Sequence, residues 1–177
     1  MSGVIFVASQ KGFDDDEFWK PRKSLEKAGV VTFIFSLDKT AVKSKKGEII
    51  LPNGHYKDIL KEYLDWVEGV IFIGSGDIEK SFNDINAHQV CQEMLKRGKF
   101  VGASSNAINV LLNAGILDGI KVACSEPEKE KVSKQAIISS NSVESDGLIL
   151  TSKGVEHGEE FGKKIFEKYL ELRGGVI

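Results

Sequence analysis

Short runs of apolar residues alternate along this chain with longer stretches in which apolar residues recur at helical spacing. The uninterrupted runs predict strands buried on both faces, because a half-exposed strand would alternate apolar and polar positions. These predicted strands are residues 4–8, 30–35, 70–73, 100–103 and 119–124. The helical spacing predicts five helices, most of them beginning or ending near acidic or glycine residues. Four run from the acidic residues 14–17 to Gly29, over a short piece of 59–67, over 84–97 and over 159–172, and the fifth follows residues 103–107 with Ile108, Leu111 and Leu112 on one side.

Three further regions have patterns of their own. Residues 36–56 contain a Lys/Gly turn between β-prone pieces and a Pro-Asn-Gly turn, which predicts a hairpin or an edge ribbon. Residues 136–152 predict short strands with a hairpin-type turn at Asp146-Gly147. Residues 125–131 are highly charged and are expected to form an exposed connection. The acidic residues 14–17 are expected to favour the positive end of a helix dipole, which needs no further role for most of them.

Strands that alternate with helices in this way predict an α/β fold with a mostly parallel sheet and helices on both faces. Ligands of such folds bind beyond the carboxyl ends of the strands. Three stretches follow predicted strands and should meet there, namely residues 9–17, 74–76 and 103–107. Their convergence marks the region where a functional site is expected.

The stretch 103–107 reads Ala-Ser-Ser-Asn-Ala between a predicted strand and a predicted helix. It is a loosened form of the Gly-x-Ser-x-Gly elbow, in which small residues let a sharp turn expose the central side chain. Ser105 would then lie at a helix N-terminus, where free N–H groups favour negative charge. The alternative is an ordinary strand-to-helix loop in which a Ser or Asn caps the helix.

Gly74, Ser75 and Gly76 directly follow a predicted strand. Glycines at this position let backbone N–H groups approach a ligand oxygen, either as a phosphate cradle or as part of an oxyanion hole. The chain has neither the Gly-x-Gly-x-x-Gly nor the Gly-Lys-Ser/Thr pattern, so a dinucleotide or nucleoside triphosphate cofactor is not expected. The alternative is a plain turn.

Composition removes several classes of function. The chain has 177 residues, which predicts one domain over 1–177. A formal net charge of −2 gives no electrostatic indication of binding to nucleic acid or to an acidic membrane, so neither is expected as a partner. No apolar run approaches the ~18 residues of a membrane span, and the N-terminus lacks the basic flank of a signal peptide, so a cytoplasmic location is expected. His88 and Cys91 have helical spacing but no third ligand nearby, so neither a metal nor another cofactor is predicted.

Four motifs make the chain similar to the ThiJ/PfpI superfamily, which includes intracellular protease-like proteins, glyoxalase III and deglycase-type enzymes, and a parkinsonism-associated branch. The motifs are residues 12–17, 74–79, 101–106 with 111–119, and 146–154. The resemblance extends over nearly the whole chain. It implies a flavodoxin-like three-layer sandwich with a nucleophile elbow, and a homodimer or larger homo-oligomer.

The functional residues of that family are retained unevenly. Glu17 matches the family glutamate that hydrogen-bonds a reactive elbow cysteine, but Ser105 stands at the cysteine position and Asn106 where the protease-like branch has histidine. The other branch carries its imidazole in a His-Pro pair, which matches residues 125–127 here without a histidine. Glu79 matches the acid that the protease-like branch contributes across a subunit contact. His157 is then the only histidine worth testing as a base.

Two functional hypotheses remain open at this point. In the first, the family chemistry is lost, and the retained pocket binds a small carbonyl or carboxylate metabolite, or the surface binds a protein partner. In the second, Ser105 acts as the nucleophile of a protease, amidase, glyoxalase or deglycase-like enzyme, with Ser75 and Asn106 amides stabilising the oxyanion. A serine hydroxyl ionises far less readily than a thiol, so the second hypothesis requires a general base.

Overall fold

The computed structural model describes residues 2–175 and has a seven-stranded sheet at its centre. The strands of the described chain are β1 (Gly3–Val7), β2 (Lys11–Phe13), β3 (Val31–Ser36), β4 (Val42–Ser44), β5 (Ile49–Ile50), β6 (Gly54–His55), β7 (Val67–Phe72), β8 (Phe100–Ser104), β9 (Lys121–Val122), β10 (Ile137–Ile138), β11 (Val143–Asp146) and β12 (Ile149–Ser152). The α-helices are α1 (Asp15–Lys27), α2 (Ile78–Ser81), α3 (Ile85–Lys96), α4 (Ile108–Asn113), α5 (Glu126–Val132) and α6 (Gly158–Leu172). None of these helices is both long and apolar enough to cross a bilayer.

The order of strands in the main sheet is β11, β12, β8, β7, β1, β3, β6. Neighbouring strands are parallel except for β11 and β12, which form the antiparallel hairpin predicted at Asp146-Gly147. The parallel pairs require crossovers, which contain helices except between β3 and β6, where the connection contains β4 and β5. The mostly parallel sheet predicted from the sequence is therefore confirmed.

Alternate residues of the central strands face two separate cores, one on each side of the sheet. In β1, Ile5 and Val7 belong to one core and Val4 and Phe6 to the other, and all four are fully buried. Helices α3 and α4 cover the first core, and α1 and α6 cover the second. This is the three-layer sandwich that the family resemblance implied, and it explains why these strands are apolar at every position.

Helices α1 and α6 pack against each other through glycine. A Cβ added to Gly162 would lie 2.7 Å from Ser24 Cβ and 2.8 Å from Pro21 Cα. A Cβ added to Gly158 would lie 2.8 Å from Lys20 Cβ. The two glycines therefore let the first two turns of α6 lie directly on the backbone of α1.

The acidic start of α1 does more than favour the helix dipole, contrary to the expectation from sequence. Asp14 caps the helix by accepting hydrogen bonds from the amides of Asp16 and Glu17. Asp15 accepts a hydrogen bond from Ser44 Oγ at 2.6 Å and one from the Lys46 amide at 3.1 Å. Burial opposes ionisation of Asp15, but these hydrogen bonds outweigh it and lower its pKa. Asp15 thus joins α1 to a second sheet of order β2, β4, β5, which contains the predicted ribbon.

Three other expectations need correction. The connection predicted at 125–131 is exposed or partly exposed as expected, but most of it belongs to helix α5, whose last residue Val132 is fully buried. The strand predicted over 119–124 is only β9, which pairs with β10 outside the main sheet. The short helix predicted over 59–67 is a 3₁₀ turn at Tyr56–Asp58 followed by a π-helical turn at Ile59–Tyr63.

The two outer strands of the main sheet differ from the apolar central ones. At one side, β6 is only two residues long, and Pro52 precedes it closely. At the other, β11 carries the partly exposed acidic residues Glu144 and Asp146. Neither outer strand has the long apolar pattern of the central strands.

Candidate functional site

The carboxyl ends of β7, β8 and β12 lie beside the first turn of α1, at the end of the sheet where the sequence predicted a site. Hydrogen bonds connect the loop after β7 with both Glu17 of α1 and Asn106 after β8. Gly154, in the loop after β12, borders Ser105 and Glu17. The structure thus brings together the predicted stretches 9–17, 74–76 and 103–107, and adds residues 153–157 to them.

Ser105 occupies a strained turn between β8 and α4. Its φ is +46°, in the left-handed region that residues with a Cβ seldom adopt, and a 3₁₀ turn over Ser105–Ala107 leads into the helix. Two glycines make room for it. A Cβ on Gly74 would lie 2.7 Å from Ser105 Cβ, and one on Gly154 would collide with Ser105 Oγ. The elbow geometry predicted for Ser105 is therefore present, and its side chain is partly exposed.

Glu17 is buried beside this elbow, with 1% of its surface exposed. Its Oε2 accepts a hydrogen bond from Ser75 Oγ at 2.6 Å. Its Oε1 is buried and has no hydrogen-bond partner among the described residues. Both Ser105 Oγ and Glu17 Oε1 lie within 4 Å of the position that a Cβ of Gly154 would occupy, although they form no hydrogen bond with each other within the described chain.

The amides predicted to bind a ligand oxygen are occupied by side chains of the elbow. Ser75, also left-handed at φ +66°, donates its N–H to Asn106 Oδ1 at 2.8 Å. Gly74 donates its N–H to Ser104 Oγ at 3.2 Å. Gly76 is exposed and packs beside the first loop, where an added Cβ would lie 2.5 Å from Lys11 O. A ligand oxygen can therefore bind the Gly74 and Ser75 amides only if the side chains of Ser104 and Asn106 are displaced from them.

An open pocket of about 260 Å³ lies next to the elbow. It is lined by Cys124, Ser125, Glu126, Lys153, Gly154, Val155, Glu156 and His157. Gly154 lines this pocket and also lies directly beside Ser105 Oγ. Lys153 extends its ammonium group to the carbonyl of Ser140 at 3.1 Å. The sequence placed His157 near this end of the sheet, and the structure shows it on the pocket wall.

Cys124 is the thiol in this pocket, and it is poorly suited to react. Only 1% of the residue is exposed, and its Sγ lies 3.4 Å from the carbonyl of Ser125. Burial, and secondarily the Glu128 carboxylate, raise the pKa of the Cys124 thiol to about 11. The family's thiolate chemistry at the elbow is therefore not replaced by this neighbouring cysteine at neutral pH.

Glu79 lies apart from the elbow residues. It is exposed on α2, where it accepts a hydrogen bond from Asn83 Nδ2 at 2.8 Å. Asn83 Oδ1 in turn contacts His88 Nε2 at 2.9 Å. No group of three or more His, Cys, Asp or Glu residues suited to a metal ion occurs in the described part of the chain.

Sequence reasoning missed the contributions of Ser104 and of the Ser75 hydroxyl. Both were hidden because each acts on a residue 30 or more positions away. The sequence contained one indication of the role of the Ser75 hydroxyl. Ser75 lies between two glycines, and a polar side chain at such a turn indicates a contact that a glycine could not form. Lys153 was also missed, although it follows directly on a strand of the main sheet.

Together, the parallel sheet, the strained residue after β8 and the buried acid on α1 define a class of α/β proteins with a nucleophile elbow. The sequence model of the DJ-1/PfpI family matches residues 3–168, and the chain belongs to this family. The structure is similar to a ThiJ/PfpI domain protein from Brachyspira murdochii, with 22% identity, a TM-score of 0.88 and coverage of 96% of both chains.

Two other solved structures show the same fold. DJ-1beta of Drosophila melanogaster has 19% identity and a TM-score of 0.82 over 100% of each chain. The putative protease I of Bacteroides thetaiotaomicron has 15% identity and a TM-score of 0.77 over 96% of this chain and 98% of that one. A comparison with curated proteins found no match. At these identities the structural likeness establishes the fold alone.

Proposed function

We propose that this chain is a DJ-1/PfpI protein without the family's cysteine-dependent catalysis, and that its elbow pocket binds a small metabolite with a carbonyl or carboxylate group. The observation that carries this proposal is the state of Ser105. It keeps the strained nucleophile position beside buried Glu17, but no imidazole forms a hydrogen bond with either side chain in the described chain.

Whether Ser105 can act as a nucleophile depends on a general base beside it. A serine hydroxyl requires an adjacent general base, whereas a thiol can ionise without one at a helix N-terminus. His157 lines the neighbouring pocket, but its ring forms no hydrogen bond with Ser105 or Glu17 in the described chain. Glu17 is the remaining candidate, but neither of its oxygens accepts a hydrogen bond from the Ser105 hydroxyl in the described chain. Binding is therefore the better supported activity.

The type of ligand follows from what already fills the site. Asn106 Oδ1 is a carbonyl oxygen, and it accepts the Ser75 N–H at a good hydrogen-bond distance. A carbonyl or carboxylate oxygen of a ligand can take the same place when Asn106 turns away. Lys153 and His157 on the pocket wall offer further donors to a carboxylate.

Amide NMR spectra recorded during titration with pyruvate test this binding. We expect saturable shifts at residues 74–76, 105–106 and 153–157. Propanol, which has neither a carbonyl nor a carboxylate, serves as the control ligand. Ser133→Ala removes an exposed hydroxyl elsewhere in the chain, and this control variant should show the same shifts as the native sequence. Equal shifts with propanol, or shifts spread over the whole surface, would contradict the proposal.

The alternative function is an enzyme that uses Ser105 as its nucleophile, of the protease, amidase, glyoxalase or deglycase type. Two observations favour it: the retained strain at Ser105 and the unpartnered Oε1 of Glu17 beside it. Turnover of methylglyoxal, p-nitrophenyl esters and peptides should be compared with Ser105→Ala. We expect equal, background rates for both proteins. Turnover that disappears in Ser105→Ala would establish the enzyme and overturn the binding proposal.

We further propose that residues 1–177 form one domain and that copies of it assemble as a homodimer or larger homo-oligomer. The support is the family membership and the continuous match over residues 3–168. Light scattering after size-exclusion chromatography tests the assembly, and a monomer at all concentrations would contradict it. The role of Glu79 across a subunit contact, a protein partner and a cytoplasmic location remain predictions from the sequence.

A further inference from the structure

A second cavity lies on the outer side of the paired helices α1 and α6. It has a volume of about 210 Å³ and is lined by Lys20, Lys23, Ser24, Lys27, Glu159 and Lys163. We call it the lysine groove. The close approach of α6 at Gly158 and Gly162 brings the lysines of both helices to its two sides. It shares no lining residue with the pocket beside the elbow.

The lysine groove is strongly positive on a chain that is weakly negative overall. Its four lysines and one glutamate give a formal charge of +3, whereas the whole chain has a net charge of −2. Lys20 has a partner in Asp16 at 3.6 Å. Lys23, Lys27 and Lys163 have no carboxylate within ion-pair distance among the described residues.

This arrangement is unfavourable for the helix that carries it. Lys20, Lys23 and Lys27 follow one another at spacings of three and four on α1, so their charges lie on one face. Like charges at these spacings destabilise a helix, and Lys163 of α6 adds a fourth from across the groove. A bound multivalent anion would relieve this repulsion, whereas solvent alone only screens it.

We propose that the lysine groove is a binding site for a phosphate-bearing anion. Lysine ammonium groups bind phosphate oxygens as point charges, and the groove presents them from two directions around the Ser24 hydroxyl. Ser24 lines the groove, and its hydroxyl donates a hydrogen bond to the carbonyl of Lys20 at 3.1 Å. The proposal does not depend on the function of the elbow pocket.

Calorimetric titration with pyrophosphate tests the groove directly. Lys23→Gln/Lys163→Gln removes one charge from each helix, and we expect the dissociation constant to rise about tenfold. Lys121→Gln/Lys134→Gln is the matched control, because it makes the same change of net charge at exposed lysines elsewhere and should change the constant less than about twofold. Circular dichroism spectra verify that both variants are folded.

The outcomes separate a site from general electrostatic attraction. Selective weakening in the groove variant supports the proposal. Equal weakening in both variants, or no binding at about 10 mM pyrophosphate in low salt, overturns it. Vesicles that contain phosphatidic acid, compared with vesicles of phosphatidylcholine alone, identify the source of the phosphate. Groove-dependent vesicle binding assigns a lipid headgroup, and groove-dependent pyrophosphate binding without vesicle binding assigns a free phosphate compound.

Discussion

Replacing Ser75 with alanine probes the contact between the loop after β7 and the buried acid of α1. The Ser75 hydroxyl is the only hydrogen-bond donor to Glu17 side-chain oxygens among the described residues, since Oε1 has no partner. The substitution leaves Glu17, which is 1% exposed, without a hydrogen bond at either oxygen. Alanine keeps a Cβ at the left-handed φ of +66°, so the backbone strain stays similar.

The expected cost follows from the burial of this contact. Leaving a buried hydrogen-bonding group without its partner costs about 1–3 kcal/mol. For a chain of this size, each kcal/mol lowers the melting temperature by about 2–4 °C, so Ser75→Ala should melt roughly 2–12 °C lower. Ser75→Gly should lose less, by about 1 kcal/mol, because glycine relieves the left-handed strain.

Urea denaturation of four proteins measures the effect as a cycle: the native sequence, Ser75→Ala, Glu17→Leu and the double variant, since leucine has no acceptor for the Ser75 hydroxyl. We expect a coupling energy of about 1–3 kcal/mol between the two positions. Ser133→Ala, whose exposed hydroxyl donates to the Glu130 carbonyl at 3.1 Å, should change stability by less than about 0.5 kcal/mol. A Ser75→Ala protein as stable as this control, or a coupling near zero, would refute the reasoning.

Three further predictions concern the same region. Asn106→Ala frees the Ser75 amide from its internal acceptor, so pyruvate affinity measured by calorimetry should rise about two- to tenfold; unchanged or weaker binding would contradict this. Burial raises the pKa of the Cys124 thiol to about 11, so its alkylation by iodoacetamide should be slow at neutral pH and should increase about tenfold per pH unit toward that value. Cys124→Ser provides the background rate, and an alkylation rate independent of pH would contradict the prediction. Gly154→Ala should lower the free energy of unfolding more than Gly115→Ala does in denaturant titrations, because both glycines have positive φ but only an alanine at 154 places a Cβ against Ser105. Equal losses of stability in the two variants would contradict this steric argument.

The central strands could be predicted because burial on both faces leaves an unmistakable apolar run. The predictions over 4–8, 70–73 and 100–103 overlap β1, β7 and β8, and none extends more than one residue beyond its strand. Strands of two residues, such as β6 and β9, have no such pattern, because pairing with distant residues decides whether they form. The helix α5 was missed because its charged residues concealed one buried anchor, Val132.

The candidate site was predictable in its location but not in its contacts. Small residues around Ser105 indicated a sharp turn, and the acidic start of a helix supplied Glu17. The contacts of Ser75 depend on how distant segments of the chain pack together. Its hydrogen-bond partners Asn106 and Glu17 lie 31 and 58 positions away in the sequence. Sequence spacing gives no measure of such distances, so the occupation of the Ser75 amide by Asn106 could be found only in three dimensions.

The outer strands of the main sheet bear on how copies of this chain can associate. An exposed strand can recruit another molecule through its free backbone groups, and proteins prevent this with short strands, proline and charge. Here β6 is only two residues long and begins shortly after Pro52, and β11 carries the acidic residues Glu144 and Asp146. Continuous growth of the sheet from one molecule to the next is therefore disfavoured at both borders, and fibrillar aggregation would first require the native fold to open.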